Sequence, residues 1–135
     1  MYKIGEIARH AGVTPRTLRY YEQRGLITPS QVSSTGYRYY DEDTLAILTR
    51  IRNLKHVGLT LDEIKDVIGL YFTLKKPLEA KEKTLAYLDI HLLEINTKIK
   101  LLQKARSELQ NQILLTQQRL SQLGVKGQKN SGSKN

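Results

Sequence analysis

The sequence predicts a mainly α-helical protein, with a winged helix-turn-helix domain followed by one long C-terminal helix. Two short amphipathic helical patterns, separated by a turn that contains glycine, open the chain as a helix-turn-helix. A turn cluster and a tyrosine-rich strand come directly after it, where a wing is expected. A heptad pattern of apolar residues then runs through residues 78–123 without an internal glycine or proline.

Length, charge and cysteine content bound the functions that the chain can have. At 135 residues there is room for one compact domain and an appendage. The net charge of +9 favours a polyanionic partner. Residues 1–70 hold ten basic and eight acidic side chains, so contacts there depend on placement rather than on bulk charge. The absence of cysteine excludes disulfides, thiolate metal sites and thiol redox switches.

The first two helices are delimited by local signals. Apolar residues recur at the i, i+3, i+4, i+7 spacing of a helix at Ile4, Ile7, Ala8 and Ala11. Gly12 ends this helix. The second helix begins at Thr14, whose hydroxyl can cap it, and Pro15 takes the first helical position. Gly25 is expected just beyond its end.

One face of the second helix has the chemistry of a DNA-reading surface. Four polar residues share this face, namely Arg16, Arg19, Tyr20 and Gln23. Leu18 lies on the opposite side and is expected to face a core. In the DNA major groove, arginine can read guanine edges or bind phosphates, and tyrosine can hydrogen-bond the backbone. The competing interpretation is a solvated helix face with two ordinary surface arginines.

A small hairpin is predicted behind the helix-turn-helix. Residues 27–28 can start its first strand, residues 33–36 form a turn, and residues 37–40 form an aromatic second strand. A hairpin in this position is a wing. Arg38, beside the turn, is placed to bind a phosphate, whereas Tyr40 is expected to pack against helices.

A second pair of helices follows the wing. Three acids at residues 41–43 suit the start of one helix, and Thr60 with Glu63 forms a capping box at the start of the next. Gly58 and Gly69 end them. The apolar residues expected on their buried faces are Leu45, Leu48, Ile51, Leu54, Leu61, Ile64 and Ile68. The first of the two also has a positive side, which either braces on DNA backbone or is simply solvated, made of Arg50, Arg52 and Lys55.

The long helix carries an apolar seam that the small domain cannot cover. Eleven of the fourteen a and d heptad positions from Leu78 to Leu123 are apolar. Such a seam implies a partner helix, most simply a second copy of the chain. The side chains expected to form the dimer contact include Leu85, Leu88, Leu92, Ile95, Ile99, Leu102, Leu109 and Ile113. Arg106 interrupts the seam and either snorkels or pairs across the dimer with a carboxylate such as Glu94 or Glu79.

Five motifs occur together in a fixed order. They are Ile-Gly-Glu-Ile-Ala at 4–8, Val-Thr and Thr-Leu-Arg-Tyr-Tyr-Glu within 13–22, Gly-Leu-Ile at 25–27, Gly-Tyr-Arg-x-Tyr at 36–40, and Gly-Leu-Thr-Leu-Asp-Glu-Ile at 58–64. In this order they resemble the MerR family of bacterial transcription regulators, over residues 2–70. The chain departs from the family pattern at Val32, where members often have an arginine.

The resemblance implies how the protein acts. MerR-like proteins dimerise through an antiparallel coiled coil in this position. They bind between promoter elements whose spacing is too long, and they bend and untwist the DNA so that RNA polymerase can engage both. The implied partners are thus double-stranded palindromic DNA, a second copy of the chain and RNA polymerase. The residues expected to contact DNA are Thr14, Arg16, Thr17, Arg19, Tyr20, Tyr37 and Arg38.

Other classes of protein compete with this interpretation. An effector-independent architectural or accessory DNA-binding protein would share the same DNA-binding residues. An enzyme would need paired carboxylates, a nucleophile–base set or a phosphate loop, and the sequence contains none of these patterns. A scaffold built on the coiled coil would leave the wing motifs unexplained.

No cofactor is expected, and the sequence offers little for an effector. Metal-sensing and redox-sensing members of the family use cysteines, which this chain lacks. The three histidines, His10, His56 and His91, are isolated and are expected to be structural or exposed. A small effector pocket remains as a hypothesis where aromatic residues cluster at the linker, at Tyr71, Phe72 and Tyr87. The alternative is hydrophobic packing of the linker on the coiled coil.

These patterns divide the chain into four parts. Residues 1–70 form the predicted winged-helix DNA-binding domain, 71–77 a linker, 78–123 the dimerisation helix and 124–135 a disordered polar tail. No apolar run is long enough to span a membrane, and no signal peptide precedes the first helical pattern. The expected location is the cytoplasm, at the bacterial nucleoid.

Overall fold

The computed structural model describes residues 1–124. Its elements in chain order are β1 (Tyr2–Lys3), α1 (Ile4–Ala11), α2 (Pro15–Gln23), β2 (Gln31–Val32), β3 (Arg38–Tyr40), α3 (Glu42–His56), α4 (Leu61–Ile68), a π-helical turn (Gly69–Thr73) and α5 (Pro77–Gln122). The predicted fold class, a helix-turn-helix with a wing and a long C-terminal helix, is confirmed. The tail predicted over residues 124–135 lies outside the described residues, apart from Gly124.

The helix boundaries follow local capping, as the sequence predicts. Thr14 Oγ1 accepts a hydrogen bond from the Thr17 backbone N–H at 3.1 Å, and Pro15 is the first residue of α2. In the capping box of α4, the Glu63 N–H donates to Thr60 Oγ1 at 3.2 Å and the Thr60 N–H donates to Glu63 at 2.9 Å. Gly12 has a φ of +71°, a left-handed conformation that suits glycine at the turn between α1 and α2.

The wing belongs to a three-stranded antiparallel sheet of order β1-β3-β2. The prediction that Ile27 and Thr28 start a strand is wrong, because Ile27 is buried in the core and pairing begins only after Pro29. Proline has no N–H to donate to a strand ladder. β1 has no counterpart among the predicted elements. It pairs Tyr2 with Tyr40, and two residues are too few to show a strand periodicity.

Helices α1, α2, α3 and α4, the sheet and the start of α5 all contribute to one hydrophobic core. Its largest fully buried side chains are Tyr40, Ile7, Leu18, Ile51, Ile64 and Val67. The prediction that Tyr40 packs against helices is therefore confirmed. Leu45 and Leu61, expected on buried faces, are only partly buried near the starts of their helices. Val67 fills the core in addition to the predicted residues of α4.

The chain stays helical beyond the end of α4. Gly69 was expected to stop the helix, but its φ of −59° and ψ of −43° are helical, and the π-helical turn begins there. Leu70 and Phe72 pack against the core, which favours this continued turn. Lys75 then adopts a left-handed conformation with a φ of +56°, shortly before α5 begins.

α5 is a continuous helix of 46 residues that contributes to two compact units. The first unit is Met1–His91 and so extends beyond the predicted 1–70 domain. Packing explains the difference, because Ala80 and Thr84 are buried and Leu88 is partly buried against the core of that unit. From Leu92 onward, α5 belongs to the second unit. Among residues 1–124, no helix has a stretch both long and apolar enough to cross a bilayer.

Candidate nucleic-acid interface

α2 presents the predicted polar face to solvent. Arg16 and Arg19 are exposed, and Tyr20 is 43% exposed. On the other side of the same helix, Leu18 and Tyr21 are buried in the core, which fixes the rotation of the helix about its axis. We call Arg16, Arg19 and Tyr20 the reading face. Its side chains are hydrogen-bond donors, and the packing of Leu18 and Tyr21 keeps them on the exposed side of α2.

The hydroxyl of Tyr20 is oriented by a neighbour that the sequence analysis did not identify. Arg24 Nη1 donates to Tyr20 Oη at 3.1 Å, and Arg24 Nη2 pairs with Asp62 on α4 at 2.9 Å. A guanidinium can only donate, so the Tyr20 oxygen is the acceptor and its own proton is left for another acceptor. Phosphate oxygens and the N7 and O6 atoms of guanine are such acceptors.

Thr14 and Thr17 lie together at the start of α2. Their hydroxyl oxygens are 3.0 Å apart, and Thr14 also caps the helix. Thr14 is exposed and Thr17 is partly buried. Thr14 is thus the capping residue of α2, and the Thr17 hydroxyl lies in contact with it. Their predicted contact with DNA stays a prediction.

The wing carries Tyr37 and Arg38 on its exposed side. Tyr37 is 66% exposed, and its backbone N–H donates to Ser33 Oγ at 3.0 Å, which fixes the turn. The Arg38 side chain is about half exposed, at 45%. Val32, at the position where family members often have arginine, is also exposed, so an apolar side chain faces solvent on β2.

Glu22 joins the recognition helix to the wing. Its carboxylate accepts from Arg38 Nε at 2.9 and 3.1 Å and from the Tyr40 hydroxyl at 3.1 Å. Burial, followed by the hydrogen bond to Glu22, raises the pKa of Tyr40 to about 12. Sequence reasoning placed Glu22 only within a motif. Nothing in a linear pattern indicates a contact between residues that far apart.

Two of the cations on α3 are engaged within the protein. Arg52 Nη1 lies 3.5 Å from the carbonyl oxygen of Ala11, at the end of α1. Lys55 Nζ lies 5.9 Å from the centre of the Tyr21 ring. The predicted brace on the DNA backbone therefore stays a prediction for the exposed parts of these side chains and for Arg50.

Polar contacts tie α4 to the start of α5. Asp66 accepts from the Tyr87 hydroxyl at 2.7 Å and pairs with Lys83 at 3.0 Å. Glu63 lies 2.8 Å from His91 Nε2. The hydrogen bond to Asp66 raises the pKa of Tyr87 to about 12, and the contact with His91 is the main cause that lowers the pKa of Glu63. Carboxylates here are held in their ionised form.

The hypothetical effector residues are not gathered around one cavity. The rings of Tyr71 and Phe72 are in edge contact with centres 4.9 Å apart, and Phe72 lines an open groove of about 810 Å³. The Tyr87 hydroxyl is bound to Asp66 instead. Phe72 and Tyr87 both pack against the core. These are contacts of the kind that the packing alternative describes, and the effector pocket stays a prediction. In the described part of the chain, no cluster of three or more potential metal ligands occurs.

The predicted dimer seam is exposed along α5. Seven of its residues are at least 45% exposed, namely Leu85, Leu92, Ile95, Ile99, Leu102, Leu109 and Ile113. Leu88 differs because it packs partly against the core of the first unit. Isolated apolar residues on a surface are ordinary, but a heptad row of them typically marks an interaction site.

Comparisons with known proteins agree on one family. Residues 2–69 match the family described as MerR HTH family regulatory protein, and residues 45–112 match the family described as MerR, DNA binding. An uncharacterised HTH-type transcriptional regulator of Synechocystis, slr0701, is 35% identical over 127 residues, which is 94% of this chain and 90% of the relative.

Solved structures give the same result. The transcription regulator PbrR691 from Ralstonia metallidurans, solved in complex with lead(II), has a TM-score of 0.69 and 31% identity, over 82% of this chain and 84% of that one. An EcmrR–DNA complex has a TM-score of 0.60 and 25% identity, over 87% of this chain and 40% of that one.

Proposed function

Because the chain belongs to the MerR family of helix-turn-helix regulators, we propose that it is a homodimeric transcription regulator that binds palindromic promoter DNA in a sequence-specific way. The family consists of DNA-binding transcription regulators, and the relative with 35% identity is described as one. The proposal assigns the protein no catalytic role.

The observation that carries the proposal is the reading face of α2. Arg16, Arg19 and Tyr20 point away from a helix that Leu18 and Tyr21 hold against the core. Such a helix enters the major groove with its side chains already placed. Tyr37 and Arg38 on the wing then contact the flanking backbone, and phosphate contacts of this kind set orientation without reading sequence.

Dimerisation follows from the exposed seam of α5. The second unit leaves Leu92, Ile95, Ile99, Leu102, Leu109 and Ile113 facing solvent. Pairing two such helices removes these side chains from water, at about 25 cal/mol for each Å² of apolar surface buried. We assign the pairing an antiparallel orientation, as in the coiled coils of the family. Two-fold symmetry then requires a palindromic operator.

Promoter remodelling is the proposed mode of action. Paired helices of this length give the two reading faces a set separation, so DNA of unsuitable spacing must bend or untwist to contact both. Smooth bending of a 20–30 bp site costs of order 1–6 kcal/mol, which the extra contacts offset. RNA polymerase then engages the remodelled promoter. The structural neighbour EcmrR was solved in complex with DNA, which supports DNA binding by a protein of this fold.

The test is selection of bound DNA from random sequence by the full-length protein. The proposal predicts a single palindromic motif with half-sites separated by about one or two helical turns, each of about 10 bp. Mapped onto the genome, the motif is expected between promoter elements. Recovery of bent or AT-rich DNA without a palindrome, scattered away from promoters, would instead favour an architectural DNA-binding protein.

A further inference from the structure

The contact between α2 and the wing is built around one carboxylate. Glu22 lies near the end of α2, and both of its oxygens accept from Arg38 Nε, at 2.9 and 3.1 Å. The oxygen at the longer distance also accepts from the Tyr40 hydroxyl at 3.1 Å. Tyr40 is fully buried, and the Glu22 side chain is 22% exposed. The hydroxyl of buried Tyr40 therefore holds the carboxylate in place while the carboxylate binds Arg38 of β3.

This arrangement occupies one part of the arginine and leaves the rest for DNA. A guanidinium has five N–H donors in a rigid plane, of which Nε carries one. Glu22 binds Nε, and the terminal amino groups are the donors that fit a phosphate in a two-bond contact. Since a free arginine side chain has many rotamers, a partner that restricts them reduces the entropy lost on binding.

We propose that Glu22 is a positioning residue for DNA binding, which holds Arg38 for a phosphate contact and fixes the wing relative to the recognition helix. The proposal rests on the proposed function, because it requires that Arg38 binds DNA backbone. It adds a residue that does not itself touch DNA. The position of the phosphate contact made by β3 is thereby fixed relative to the base contacts made by α2.

The sign of the effect separates positioning from simple electrostatics. An acidic side chain close to DNA repels phosphates, so electrostatics alone predicts that removal of the Glu22 charge tightens binding. Positioning predicts the opposite, since the loss of the acceptor frees Arg38. Two substitutions are matched for this test. Glu22→Leu and Glu22→Gln both remove one negative charge, but only glutamine keeps an acceptor oxygen.

The experiment measures the affinity of folded, full-length variants for the selected operator over a range of salt concentrations. Glu22→Leu is expected to weaken binding about threefold to tenfold, the size of one restricted long side chain. Glu22→Gln is expected to lie between Glu22→Leu and the wild type. Asp43→Asn, which removes one acid from the first turn of α3, serves as the charge control and is expected to bind equally or more tightly. Thermal unfolding of each variant identifies any loss of folded protein.

The Arg38→Ala background shows whether the effect passes through Arg38. In that background, Glu22→Leu is expected to cause no further loss, because there is no arginine left to position. Equal loss in both backgrounds, or tighter binding by Glu22→Leu in the wild-type background, would overturn the positioning role. If Arg38→Ala weakens binding but Glu22→Leu does not, only the present inference fails. If Arg38→Ala itself leaves affinity unchanged, the phosphate contact in the proposed function fails.

Discussion

The two units of the molecule differ in the side chains that form their candidate binding surfaces. In the first unit, the surface consists of polar side chains that are held in place by hydrogen bonds and by the core. Arg24 binds Tyr20, Glu22 binds Arg38, and Leu18 is buried beneath the reading face. In the second unit, α5 exposes apolar side chains in a heptad row, including Leu102 at 68% exposure.

The difference shows what each unit needs in order to function. The first unit has a core of its own, and the side chains of its reading face are charged or hydrogen-bonding. That face offers hydrogen-bond donors to a polar ligand. A single helix with an apolar seam gains little stability from its own contacts and requires a second helix to bury that seam. The first unit is thus suited to bind DNA and the second to bind a copy of itself.

The largest expected effect is loss of the dimer. The double variant Leu92→Asp/Ile99→Asp places charges in the seam and removes two aliphatic side chains, each worth about 2–5 kcal/mol when buried. We expect a monomer in sedimentation velocity and weak binding to the full operator. The first unit is expected to keep its thermal transition, because Leu92 and Ile99 lie outside it.

A matched control places the same charges off the seam. Thr97→Asp/Asn111→Asp alters two f positions of α5, both of which are exposed. This variant is expected to remain a dimer. An intact dimer for the seam variant, or dissociation of both variants alike, would contradict the assignment of the seam.

The next effect distinguishes base contacts from phosphate contacts in the first unit. Arg16→Ala is expected to lose about 1–3 kcal/mol of affinity for the operator and to relax specificity at one base position. Arg38→Ala is expected to weaken binding to all sequences alike and to reduce the salt slope by about 1. Affinities on operator and on random DNA, measured across salt, separate the two. An equal loss on both DNAs for Arg16→Ala would remove its role in base reading.

The smallest effect is a pH dependence at the contact between α4 and α5. The pKa of Glu63 lies below its ordinary value of 4.5, first because of the hydrogen bond with His91 and then because of the Thr60 N–H. A lowered carboxyl pKa stabilises the fold above pH 4.5, and this contribution is lost as the pH falls through the folded pKa.

The variant Glu63→Gln tests that sign. We expect its Tm to lie a few degrees below that of the wild type at about pH 7, because one partly buried hydrogen bond contributes about 1 kcal/mol. The gap is expected to narrow as the pH falls below 4.5. Thermal unfolding across this range measures it, and a gap that stays constant would mean that the charge of Glu63 has no part in stability.

The sequence predicts the local features of the fold well and the long-range contacts poorly. The caps at Thr14 and Thr60 were predictable because a cap and its partner are three residues apart. The Glu22–Arg38 contact joins residues separated by 16 positions, and no spacing rule reaches that far. β1 pairs residues 2–3 with residues 39–40. Because these segments lie far apart in the sequence, the folded core sets their register.

The continuation of the chain beyond α4 has the same explanation. Gly69 is a common signal for a helix end, but packing of Leu70 and Phe72 on the core outweighs it. For the candidate interface, helical periodicity alone places Arg16, Arg19 and Tyr20 on one face. Tyr20 is oriented by Arg24, which in turn pairs with Asp62. Arg24 and Asp62 come together only when α2 meets α4.

In the proposed dimer, two DNA-binding units are joined through one apolar seam. Insertion of about 5 bp, half a helical turn, at the centre of the selected palindrome tests whether the two units bind together. We expect a large loss of affinity, since both half-sites keep their sequence but no longer face the same side of the duplex. The Leu92→Asp/Ile99→Asp variant is expected to bind the two DNAs equally. If the wild-type protein also binds both equally, its two units act independently, and the claim of a dimer with set spacing is contradicted.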